Sequence, residues 1–74
     1  MNLRDFKLGL DYFSQYYTDP SGYHLAAGHD QIYLYATDLP MSEEDVATVK
    51  NLGWFQDNTP GDEYSPDDGW SCYV

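Results

Sequence analysis

Apolar positions recur with two different periods along these 74 residues, and the changes of period mark out the elements. Leu3, Phe6, Leu10, Phe13 and Tyr17 follow the spacing of one helix face, with Asn2 as a cap and Asp5 three residues after it. Phe6, Leu8, Leu10 and Tyr12 also alternate as a strand would, and Gly9 weakens a helix by about 1 kcal/mol relative to Ala. Residues 1–17 therefore admit both readings, with helix preferred. Thr18–Gly22 (TDPSG) is a turn in either case. Gln31–Ala36 (QIYLYA) alternates Ile32, Leu34 and Ala36 on one face with Tyr33 and Tyr35 on the other, the pattern of a strand. Tyr23–Ala27 reads as a further strand, pairing with it across a connection that contains Gly28.

The strongest local signals predict a helix over Ser42–Leu52. Ser42 is an N-cap, Asp45 completes a capping-box variant, and Met41 and Val46 occupy the two positions of a hydrophobic staple. Glu43, Glu44 and Asp45 complement the dipole in the first turn, and Lys50 does so in the last. Gly53 is the expected stop, with Trp54 able to turn back toward Val49. Trp54–Asp57 and Trp70–Val74 are short aromatic runs separated by a loop rich in Pro, Gly and Asp, and they predict a hairpin with a long acidic connection. The expected fold is α+β: a small antiparallel sheet covered on one side by one or two short helices, in a single domain over residues 1–74.

Composition makes that fold plausible in so short a chain. Aromatic residues form 18% of it, eight of them Tyr, and each can bury a large area. That content, with 42% hydrophobic residues, excludes a disordered acidic tail. The lone Cys72 excludes an internal disulfide and fits a reducing cytoplasm. No run approaches the ~20 apolar residues of a membrane span, and MNLRDFKLGL lacks the apolar core of a signal peptide. The expected setting is cytoplasmic.

Charge changes the picture most. The net charge is −10, and it is uneven. Residues 1–16 are neutral, whereas 38–68 carry nine carboxylates against Lys50 alone. Such self-repulsion destabilises a small fold and favours solubility and steering. It argues against direct contact with nucleic acid or anionic membranes, and it suggests a strongly basic protein partner. Glu43, Glu44 and Asp45 are explained by the helix start. Asp62, Glu63, Asp67 and Asp68 are not, since a loop needs turn formers rather than four acids in seven residues. Together with Asp57 these acids border the same short run, Trp54–Asp57, and are expected to form one negative surface. Tyr12, Tyr16, Tyr17 and Tyr64 are either aromatic anchors of that surface or, more commonly in a small chain, packing residues.

Catalytic chemistry has little to stand on. Cys72 lies more than forty residues from His24 and His29 and between aromatic positions, which suits a small core residue better than a thiolate beside a base. Phosphate-loop, G-x-S-x-G and H-E-x-x-H motifs are absent. His24, His29, Asp30 and Cys72 match no zinc module, and Asp57, Thr59 and Gly61 only superficially resemble the start of a calcium loop. No enzyme activity, metal or cofactor is expected.

The segments HDQIYL (29–34), SEEDVATVKNLGWFQD (42–57) and DDGWSCYV (67–74) resemble a group of short phage- and prophage-encoded proteins. In that group an acid-capped helix ends in Leu-Gly-Trp before a C-terminal Trp-containing strand. Size, acidity and architecture are also similar to phage-encoded anti-CRISPR proteins of the type I-C inhibitor class. The resemblance covers residues 29–74. It implies an antiparallel sheet covered by a helix, and a DNA-mimicking role against the DNA-recognition subunit of a CRISPR surveillance complex, in the bacterial host cytoplasm.

The resulting expectation is a monomeric inhibitor whose acidic face occupies the basic groove of a Cas subunit. Contacts would come from Glu43, Glu44, Asp45, Asp57, Asp62, Glu63, Asp67 and Asp68. Two alternatives compete: a phage accessory protein binding a host protein through an aromatic surface, and a cation-binding module.

Overall fold

A computed structural model describes residues 1–19, 21–56 and 63–74. The order of elements is α1 (Leu3–Ser14), β1 (Leu25–Ala27), β2 (Gln31–Leu34), α2 (Glu43–Asn51) and β3 (Trp70–Tyr73). The strands form one antiparallel sheet in the order β1-β2-β3. This is the α+β architecture that the pattern predicts.

For the N-terminal segment the helical period wins over the alternating one. Asn2 stands in extended backbone and its side chain accepts from the Asp5 N–H at 2.8 Å, which satisfies one of the donors a helix start leaves open. The helix buries Phe13 and Gly9, while Leu3 and Leu8 face outward. α2 follows its sequence signals at both ends. Ser42 Oγ accepts from the Asp45 N–H, and Met41 and Val46 are both buried as a staple. At the other end Gly53 has φ 108°, the Gly53 N–H reaches Lys50 O, and the Trp54 N–H reaches Val49 O. This is a Schellman stop, with Trp54 and Val49 supplying its apolar contact.

β1 and β2 form the expected hairpin, reversing over His29–Asp30, with the Gly28 N–H bonded to Gln31 O at 2.8 Å. β2 ends at Leu34, although the Tyr35 N–H still pairs with His24 O. The C-terminal hairpin differs from expectation. β3 pairs with β2, and the run beginning at Trp54 contributes one isolated bridge, Phe55 to Ser71, closed by two hydrogen bonds of 2.9 and 2.8 Å. Asp57, the end of the expected strand, lies outside the described residues; before it, Trp54 is drawn under α1 and Gln56 is buried, and Phe55 between them makes the bridge.

The core lies between one sheet face and the two helices. Leu34, Trp70 and Cys72 project from the sheet onto Phe13, Tyr17, Val46, Val49 and Trp54. Phe13 meets Trp54 edge-on at 4.9 Å and Trp70 at 5.4 Å, while Phe6 stacks on Trp54 at 6.0 Å. Two indoles and a phenyl ring are thus the largest of the fully buried side chains, and apolar burial contributes roughly 25 cal/mol per Å². Among the described residues, no helix is long and apolar enough to cross a membrane.

Candidate functional site

The first turn of α2 presents Glu43 and Glu44 to solvent. Asp45 is different. Its carboxylate accepts a 2.5 Å hydrogen bond from the Tyr16 hydroxyl, just beyond the end of α1, and the same hydroxyl accepts from the Ser42 N–H at 3.2 Å. In an ordinary capping box the third helical residue reaches back to the cap N–H itself. Here Tyr16 stands between the two and closes the box, so this acid serves the fold.

The second cluster is described in part. Asp57 and Asp62 lie outside the described residues. Glu63 and Asp67 are exposed and Asp68 is half-buried. The 63–69 segment is held from within. Gln56, 9% exposed, donates from Nε2 to Ser65 O at 2.7 Å and to Asp68 O at 3.1 Å, and its Oε1 accepts from the Ser65 N–H at 3.0 Å. Tyr64 lies near-parallel to Trp70, and its hydroxyl accepts from the Met41 N–H at 2.9 Å. That bond ties the residue beside Glu63 to the residue preceding the α2 cap. Tyr64, the neighbour of Glu63, is therefore brought to the start of α2, where it shares a groove of about 510 Å³ with Met41, Glu43 and Lys50.

The comparisons with known proteins leave this geometry to speak for itself. No family model, curated protein or solved structure matches the chain.

The tyrosines sort in a way the sequence left open. Tyr17 is buried, and Tyr12, Tyr16 and Tyr64 pack against the core. The outward ones are Tyr23, 97% exposed, with Tyr35 and Tyr73. Tyr17 donates a 2.5 Å hydrogen bond to Tyr35 O, and burial, with the nearby Asp38 charge, pushes its pKa up to about 12. Asp38 itself accepts from the backbone and hydroxyl of Thr18 at 2.8 and 3.1 Å, which fixes the exit from α1. The Asp19 carboxyl is held below its ordinary value by hydrogen bonds from the Ser21 hydroxyl and N–H.

Cys72 is fully buried beneath the helices, and burial pushes its thiol pKa up. His24 stacks on Tyr17 with ring centroids 4.3 Å apart, and its Nε2 lies 2.6 Å from Asp19 O. Among the described residues, no three His, Cys, Asp or Glu side chains converge as a metal site would require.

Two features escaped the sequence. Gln56 carried a signal, because alternation from Trp54 places it on the inward side. The second is a cleft of about 270 Å³ between α1 and β1, lined by residues far apart in the chain, including Leu10, Phe13, His24 and Leu25.

Proposed function

We propose that the chain is an acidic decoy: its carboxylate surface occupies the basic groove of a nucleic-acid-binding protein and excludes the nucleic acid. The target that the sequence resemblance suggests is the DNA-recognition subunit of a type I CRISPR surveillance complex, which would make the chain an anti-CRISPR inhibitor. The observation that carries the reading is that Glu43, Glu44, Glu63 and Asp67 are exposed, with Glu43 on the wall of the groove and Glu63 next in the chain to Tyr64, which also lines it. Carboxylates arrayed on a fixed scaffold offer a Lys/Arg groove a field like that of a phosphate backbone. Docking would be electrostatically steered and hence weakened by salt.

The test is competition with target DNA for a purified surveillance complex across a salt series. The variant Glu43→Gln/Glu44→Gln/Glu63→Gln/Asp67→Asn leaves Asp45 and its hydroxyl bond in place. Loss of competition with retained folding supports the reading; undiminished competition ends it.

The exposure of Tyr23, Tyr35 and Tyr73 favours a second reading, binding of a host protein through aromatic contacts. Alanine at those three positions would then abolish partner capture, and charge neutralisation would leave it intact.

A further inference from the structure

The two edges of the sheet are treated differently. Along β3 the outward backbone groups belong to Ser71 and Tyr73, and both are engaged: Ser71 by Phe55, and Tyr73 O by the amino terminus at 3.4 Å. Along β1, the bonds from the Tyr35 N–H to His24 O and from the Gly28 N–H to Gln31 O fix which residues face β2. In an antiparallel pair these alternate, so His24, Ala26 and Gly28 turn inward and Leu25 and Ala27 present N–H and C=O outward. Among the described residues, nothing bonds to those outward groups.

The side chains at this edge are also uncovered. Leu25 stands opposite Leu34 and so lies on the core face, yet it is 57% exposed while Leu34 is 4% exposed. α1 packs over Trp54 and Trp70 and leaves the core face of β1 open. The 270 Å³ cleft is the result, with Leu10, Phe13, Tyr17, His24, Leu25 and Leu34 among its walls.

We propose that β1 accepts an extended segment of a basic partner protein as a fourth strand, with an apolar side chain of that segment in the cleft. Main-chain pairing and a side-chain pocket on the same edge are the two parts that strand addition uses. The partner's charge follows from the surroundings. Exposed Asp19 lies beyond the His24 end of the edge, Asp30 sits in the turn at the other end, and Asp11 is on the α1 turn that carries Ser14 of the cleft wall. None of Arg4, Lys7 and Lys50 lines the cleft. A second copy of this chain would bring another net −10 to the same edge, which disfavours it. The proposal stands apart from the acidic-decoy reading, because it uses neither acid cluster.

The probe is a displayed library of random peptides of about nine residues, a generous strand length, selected against the full chain. Selected peptides are then titrated against wild type and two variants. Ala27→Pro removes one outward donor and keeps the β1–β2 ladder, since proline is tolerated on the open side of an edge strand. Leu25→Ser opens the cleft wall.

The expected pool alternates apolar residues with Lys or Arg, binds Ala27→Pro about tenfold more weakly, and slows hydrogen exchange at the Leu25 and Ala27 amides. Should Ala27→Pro fail to fold, N-methylation along the two edges of a selected peptide replaces it: blocking one edge abolishes binding and blocking the other does not. The variant Glu43→Gln/Glu44→Gln/Glu63→Gln/Asp67→Asn retains peptide binding. The proposal is overturned if no peptide is enriched, if the pool is acidic or unpatterned, if N-methylation of the two edges has the same effect, or if the edge instead joins two copies in solution.

Discussion

The Tyr16 hydroxyl lies 2.5 Å from the Asp45 carboxylate and also takes the Ser42 N–H, so α1's exit and α2's entry share one polar junction. An acid that reads as part of a binding surface is thereby committed to the fold. Removing the hydroxyl strands a half-buried carboxylate and frees a cap N–H. Tyr16→Phe is expected to cost about 1–3 kcal/mol, measured by urea denaturation. In a double-mutant cycle with Asp45→Asn the two losses should fall short of additive. Full additivity would show that the pair does not act together.

Gly9 is costly inside a helix, and Trp54 explains its presence. A β-carbon at residue 9 would overlap Trp54 Nε1 and lie 3.0 Å from Cδ1. Gly9→Ala should therefore destabilise the protein by about 1–3 kcal/mol, overpacking outweighing the gain in helix propensity. In a Trp54→Phe background, which removes the crowding nitrogen, the same substitution should cost less. A stabilised Gly9→Ala single variant would contradict the close approach.

Gln56 makes three hydrogen bonds to the backbone of the 63–69 segment from a buried position. Gln56→Leu keeps the bulk and discards the bonds, leaving the Ser65 N–H unsatisfied. The expected loss is about 1–3 kcal/mol, with faster hydrogen exchange at Ser65 ahead of the sheet amides. If exchange at Ser65 is unchanged, the side chain is not what holds the segment.

Tyr17 sets an alkaline limit. Its folded pKa is raised to about 12 from an ordinary value of 10.0. The stability linked to it is fully present below pH about 10 and is lost as pH rises from there toward 12. Tyr17→Phe should flatten the fall in denaturation midpoint over that window, with tyrosinate absorbance at 295 nm as the parallel reading. An equally steep fall in the variant would assign alkaline sensitivity to other groups.

Cys72 is fully buried and its thiol pKa is raised, so the reactive thiolate is scarce in the folded state. Labelling by an aromatic disulfide should track unfolding, accelerating across the urea transition. Rapid labelling of the native protein would place the thiol at the surface.

What the sequence determined by itself were the features whose causes lie within a few residues. The Ser42 cap, the Met41–Val46 staple and the Gly53 stop are local backbone chemistry, and α2 carries all three. The β1–β2 hairpin needed only alternation and a short connection. In residues 1–17 the helical and alternating periods competed, and the Asn2 cap with the inward Phe13 face decided for helix. Only tertiary structure decided why Gly9 is there, which tyrosines face inward, and that Asp45 is spoken for by a residue 29 positions away. Within the described part of the predicted Trp54–Asp57 strand, through Gln56, it left one bridge at Phe55, with Trp54 packed against α1. The cleft beside β1 belongs to the same class: its walls come from α1, the 22–25 segment and β2, and no local pattern encodes their meeting. Charge was legible as a quantity in the sequence. Which carboxylates remain free to meet a partner depends on hydrogen bonds between residues far apart in the chain.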